Sequence, residues 1–179
     1  MKRMLQGAPI VGGPSTVGTF RETSDGGIRL TTSHDGYARQ FGVVHQRVLM
    51  LSNDGGRLDG EDTLLNATNS GPRGRNDDYA LRFHLHPAVK ASRLSDAHGA
   101  MLVLPNREVW TFEAPDDRVE IEDSVFLAGS DGPRRTSQIV IRQTRRDASG
   151  IRWSFTRSSV SATATHARRE ARREPELPL

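Results

Sequence analysis

The chain of 179 residues carries 25 Lys and Arg against 22 Asp and Glu, a formal net charge of +3, with only 6% aromatic residues. That length suffices for one ordinary domain whose core is built mainly from Val, Ile and Leu. No cysteine occurs, which excludes disulfides and thiolate metal sites and leaves the redox compartment open.

The arginines alternate with apolar residues or sit in a basic tail instead of interleaving with aromatics, so no nucleic-acid partner is expected. No apolar run is long enough to span a bilayer, and the basic residues 1–7 are followed by no apolar segment of signal-peptide length. A soluble chain with no membrane partner and no signal peptide is the expectation.

In chain order, residues 1–15 are rich in Gly and Pro and read as an irregular lead-in. Period-two alternation begins at 16–23 and 28–33, separated by Ser24-Asp25-Gly26-Gly27, a hairpin signal. His34-Asp35-Gly36-Tyr37 forms a polar turn leading into strand candidates 38–44 and 45–52, and Asn53-Asp54-Gly55-Gly56 turns the chain into 57–64. Residues 66–78 lack periodicity and consist of turn formers, which predicts a long surface loop. Alternation resumes near Tyr79 and recurs at 89–94, 100–104, 108–113, 119–128, 138–143 and 151–155. About a dozen short strands with hardly a helical stretch predict an all-β fold, an antiparallel β-sandwich over residues 16–157. The charged tail, 158–179, has helix-forming composition but no apolar face, so a frayed helix or disorder is expected there.

Three places hold candidate chemistry. In Leu81-Arg82-Phe83-His84-Leu85-His86-Pro87, a strand puts His84 and His86 on one face beside Arg82, with Leu81, Phe83 and Leu85 opposite. A His-x-His pair can supply two zinc ligands, but spacing fixes no third, and a solvent-facing polar layer explains the pair as well. His34 and Tyr37 bracket Asp35-Gly36 and could project together; His and Tyr suit proton abstraction beside a carboxylate, against a plain turn in which Asp35 caps backbone donors. His45 and Asp62 lie on neighbouring strand candidates, where a cross-strand charge pair with Arg47 accounts for them equally. No phosphate loop, Gly-x-Ser-x-Gly elbow or His-Glu-x-x-His helix is present.

Four ordered phrases carry a resemblance: Ser33-His34-Asp35-Gly36-Tyr37 with Phe41-Gly42 and His45-Gln46-Arg47; Leu58-Asp59-Gly60-Glu61-Asp62-Thr63-Leu64; Arg82-Phe83-His84-Leu85-His86-Pro87; and Ser137-Gln138-Ile139-Val140. Over about residues 7–157 the chain resembles the downstream part of the C-terminal β domain of heparinase II/III polysaccharide lyases. The resemblance implies β-elimination of uronic-acid-containing glycans by a protein that joins this domain to an N-terminal α/α toroid, in the cell envelope or periplasm. It places the family's metal and its catalytic Asn, Tyr and His on the toroid and on upstream β segments, whose His-x-His-x-Asp and Ala-His-Asn/Ser-Thr phrases have no match here. The expectations are therefore a lyase domain inactive alone, with no catalytic residue, metal or cofactor of its own. Its partners would be an acidic polysaccharide and a separate or missing toroid. His34, Tyr37, His84 and His86 are the candidate substrate-binding residues, and a non-catalytic sandwich that binds an acidic glycan or a protein is the alternative. Strand edges left open in such a domain predict self-association.

Overall fold

A computed structural model describes residues 13–67, 78–127, 132–144 and 150–158. Eleven strands and one short helix follow in order: β1 (Val17–Ser24), β2 (Gly27–His34), α1 (Ala38–Phe41), β3 (Val43–Leu51), β4 (Arg57–Asn66) and β5 (Asp78–His84). Then come β6 (Lys90–Arg93), β7 (Gly99–Val103), β8 (Val109–Glu113), β9 (Val119–Phe126), β10 (Arg134–Thr144) and β11 (Ile151–Arg157). All strand pairings among the described residues are antiparallel, as short hairpin-linked strands with period-two patterning require.

The strands form an eight-stranded sheet in the order β1-β2-β3-β4-β11-β8-β7-β6, and a three-stranded sheet in the order β5-β10-β9. The all-β sandwich expected from the sequence is the fold observed. The core lies where the two sheets face each other. Ala100, Leu102, Phe112, Val119, Ile139, Ile141, Ile151 and Trp153 are buried there, with Leu81, Phe83 and Leu85 packed against them. Phe83 from the small sheet meets Phe112 and Trp153 of the large one at ring-centroid distances of 5.0 and 4.8 Å, which ties the sheets together through aromatic edges. No residue of β1 or β2 belongs to this cluster, so the large sheet extends past its narrow partner on that side.

The expected strand over 38–44 is corrected in its first half. Residues Ala38–Phe41 form the short helix α1, closed by Gly42 at φ 68°, whose N–H donates to the carbonyl of Ala38. That left-handed position costs glycine little and ends the helix, so β3 begins only at Val43. Most of the expected 66–78 loop, most of the lead-in and nearly all of the charged tail lie outside the described residues.

Candidate functional site

The register of β2, β3 and β4 assembles the site. His34 pairs with His45 across β2 and β3, and Arg47 pairs with Asp62 across β3 and β4. Opposed residues of an antiparallel pair share a face, so the four side chains stand together on one patch of the large sheet.

Asp62 is the anchor. It is only 4% exposed. Its Oδ1 accepts from His45 Nε2 at 2.6 Å and Arg47 Nε at 2.8 Å, and its Oδ2 accepts from Trp153 Nε1 at 2.7 Å. Burial alone would push the carboxyl up, but these three donors and the Arg47 charge outweigh it and hold the group below the usual carboxylate range. The Arg47 guanidinium also lies 5.8 and 5.6 Å from the ring centroids of Phe83 and Trp153.

Beyond His45 the network continues outward. His45 Nδ1 lies 3.2 Å from His34 Nε2, and His34 Nδ1 accepts the Gly36 N–H at 3.2 Å. A backbone N–H can only donate, so His34 Nδ1 is bare and Nε2 carries the proton of the neutral ring. His34 Nε2–H then donates to His45 Nδ1, and His45 Nε2–H donates to Asp62. Every link is satisfied when both rings are neutral. Burial, followed by the neighbouring His45, holds His34 below its ordinary value of 6.5.

Asp35 caps backbone donors, as the turn reading expects, but the donors belong to the segment entering β1 and not to its own turn. Its Oδ1 accepts the N–H groups of Ser15 at 2.7 Å and Thr16 at 3.0 Å, so it clamps the approach to β1 against the turn between β2 and α1. Tyr37 stands 5.2 Å from His34 between ring centroids and 6.3 Å from Phe41.

These groups line a cavity of about 520 Å³ at the step where the edge of β5 overlooks the extended part of the large sheet. Its walls include His34, Tyr37, Phe41, His45, Arg47 and Asp62 on one side, and Asp78, Tyr79 and Arg82 on the other. The size lies within the range of small-molecule sites. Burial and the nearby Asp117 and Asp62 carboxylates push the Tyr79 phenol up, so it stays protonated as a donor.

The candidate residues from the sequence separate into two groups. His34 and Tyr37 line the cavity, whereas His84 and His86 are exposed beside it on the outer face of the small sheet. There His84 Nδ1 is 2.8 Å from Ser124 Oγ, and the His86 ring meets Phe126 at 5.1 Å. The alternation read from 81–87 holds, with Leu81, Phe83 and Leu85 inward and Arg82, His84 and His86 outward. Among the described residues no group of three or more His, Cys, Asp or Glu is placed to hold a metal ion. The cross-strand charge pair of Arg47 with Asp62, one of the two readings the sequence leaves open for His45 and Asp62, is present; Arg82 is legible only as a neighbour of His84 and His86, and Trp153 and Tyr79 have no local signal as members of the site. Only the spacing of two between His45 and Arg47, which puts both on one strand face, signalled part of the cluster.

The fold is a two-sheet antiparallel β domain with a cavity-lining polar cluster at the step between the sheets. Heparan sulfate lyase HepC from Pedobacter heparinus superposes with a TM-score of 0.64 at 9% identity over 81% of this chain and 22% of that one. Heparinase III does so at 0.59 and 12% identity, over 83% and 22%. The chain belongs to the heparinase II/III-like family, matching its C-terminal domain over residues 4–154. A curated relative, FtsZ-localized protein C of Caulobacter vibrioides (strain NA1000 / CB15N), is 32% identical over 157 residues, which are 83% of this chain and 27% of that protein. The chain thus spans about a quarter of the length of the proteins it matches.

Proposed function

We propose that this chain is the β domain of a lyase that cleaves uronic-acid-containing glycans by β-elimination, and that it binds the acidic polymer without turning it over alone. The observation that carries the reading is a cavity in a heparinase II/III-like domain with polar groups on both walls: Arg47, His34 and Tyr37 on one, Tyr79 on the other, and the outward-pointing Arg82 at its rim. β-Elimination needs positive charge on the uronate carboxylate, because the proton leaving the adjacent carbon is acidic only when that carboxylate is neutralised. Arg47 and Arg82 are suited to that task, and His34 and Tyr37 to contacting the sugar. Arg82 also shares the outward face of β5 with His84 and His86, which gives the polymer a path from the cavity onto the small sheet. In this reading the toroid supplies the opposite wall and the missing chemistry, in the cell envelope. The test is mixing with heparan sulfate. Saturable binding with flat absorbance in the unsaturated-uronate band is expected; a rise in that band overturns the claim of inactivity alone, and no binding overturns the glycan reading.

A second reading rests on the relative named for FtsZ localisation: the sandwich serves as a protein-binding module that localises with FtsZ. Co-sedimentation with FtsZ polymers, undiminished by heparan sulfate, would favour it over the lyase reading.

A further inference from the structure

We infer that the cavity takes up an anionic group, a carboxylate or sulfate, together with one proton, which emerges on His34 Nδ1. This rests on the glycan reading for the identity of the ligand and goes beyond it in coupling binding to protonation.

The argument is the hydrogen-bond order of the cluster. Gly36 N–H, His34, His45 and Asp62 form a chain of three links that accommodates two ring protons and no more. Suppose a third is added while Asp62 stays ionised, as Arg47 and Trp153 require. If it lands on His45, Nδ1–H points at His34 Nε2, which must then accept, and the His34 proton moves to Nδ1. If it lands on His34, Nδ1 is protonated directly. In both cases the excess proton surfaces at the same atom, facing the Gly36 N–H across 3.2 Å.

Two donors then confront each other with no acceptor between them. An anion resolves the conflict, because a carboxylate or sulfate oxygen accepts from both N–H groups. Arg47 lines the same cavity and adds positive potential to it; beyond its Nε bond to Asp62, no hydrogen bond is made by its terminal nitrogens among the described residues.

The other groups around His34 fit this assignment. On its own turn, Asp35 is engaged by Ser15 and Thr16, and Tyr37 offers a hydroxyl. From β3 come His45 and Arg47, from β4 Asp62, and from β5 Asp78, Tyr79 and Arg82, while α1 adds the uncharged Phe41. In the free site the neutral rings and the Asp62–Arg47 pair leave little net charge, so an anion and a proton entering together leave the balance unchanged.

The experiment is calorimetric titration of the whole chain with inorganic sulfate and with a heparan sulfate tetrasaccharide. It is run at pH 6 and pH 8 in buffers of different ionisation enthalpy, with ring-nitrogen NMR on the free protein. Expected are Nε2–H tautomers for His34 and His45 in the free state, uptake of about one proton per ligand, and affinity falling about tenfold per pH unit above the His34 titration. His34→Gln should abolish proton uptake while the circular dichroism spectrum is retained, and His45→Gln should reduce it. Glycan binding without proton uptake overturns this inference and leaves the glycan reading standing. Sulfate binding with proton uptake but no glycan binding upholds the inference and overturns that reading. Absence of binding by either ligand, or an Nδ1–H tautomer of His34 in the free protein, overturns the inference.

Discussion

Trp153 occupies the space that Gly60 leaves empty: a Cβ built on Gly60 would come 2.1 Å from the indole Cζ2, and the two residues are register partners across β4 and β11. Two residues on along β4, Asp62 takes the indole N–H. The phrase Asp59-Gly60-Glu61-Asp62 therefore reads as a seat for one tryptophan, with glycine making room and the aspartate making the bond.

Gly60→Ala should force the indole off this seat. Overpacking of this sort costs about 1–3 kcal/mol. Urea denaturation should show the loss, with a shift in tryptophan fluorescence reporting that Nε1–H has left Asp62. An unchanged spectrum would mean that the ring tolerates the added methyl.

Asp62→Ala removes the acceptor shared by His45, Arg47 and Trp153 and leaves a half-buried guanidinium unpaired. Breaking one side of a buried pair typically costs about 3–5 kcal/mol. Asp62→Asn keeps an acceptor and should lose less. The measurement is the denaturation midpoint of both variants against the parent chain: equal midpoints of the two variants would show that the acceptor kept by Asn contributes nothing, and an Asn midpoint equal to the parent's that the charge of Asp62 is irrelevant to the fold.

Stability should fall on the acid side in two stages. His34 is held below 6.5 in the folded chain, so the unfolded chain takes up that proton first. The contribution of His34 is thus complete above about 6.5 and declines as pH drops from there toward the lower folded value. Asp62 is held below 3.8, and its contribution, present above that value, is lost as pH falls through the folded one. A urea series against pH should show both declines, and His34→Gln should erase the upper one alone.

Arg82→Ala and His84→Ala compare the cavity rim with the rest of the outer face. Both side chains point outward from β5, but Arg82 borders the cavity and His84 does not. Affinity for a heparan sulfate tetrasaccharide should fall about tenfold for Arg82→Ala, equivalent to about 1.4 kcal/mol, and less than about threefold for His84→Ala. The reverse order would place the main contact on the small sheet. Chain stability should change little in His84→Ala, since one exposed bond to Ser124 is lost, worth about 1 kcal/mol.

Much of this molecule could be read from its alternation. Phe83 and Leu85 point inward and His84 and His86 outward because a strand has no other choice at spacing two. What alternation cannot supply is register between distant strands. Trp153 bonds Asp62 across 91 positions of sequence, and no local pattern foretells that pairing. The helix Ala38–Phe41 escaped because four residues are too few to show a helical period, and the glycine that ends them reads equally well as a strand boundary. The cluster was half visible: His45, Asp62 and Arg47 stood out as polar residues on neighbouring strand candidates, but only the pairing of three strands joins them to His34 as a relay.

The unequal sheets also set an order of opening. With no side chain from β1 or β2 in the buried cluster, that hairpin is held mainly by its ladder to β3 and by the Asp35 clamp, and its amides should exchange with solvent well before those of β8, β10 and β11. His34 rides on β2, while Arg47 and Asp62 belong to the strands that carry on toward the core. An anion bridging them would act as a clasp, slowing exchange along β2 and leaving the slowest amides of the core untouched.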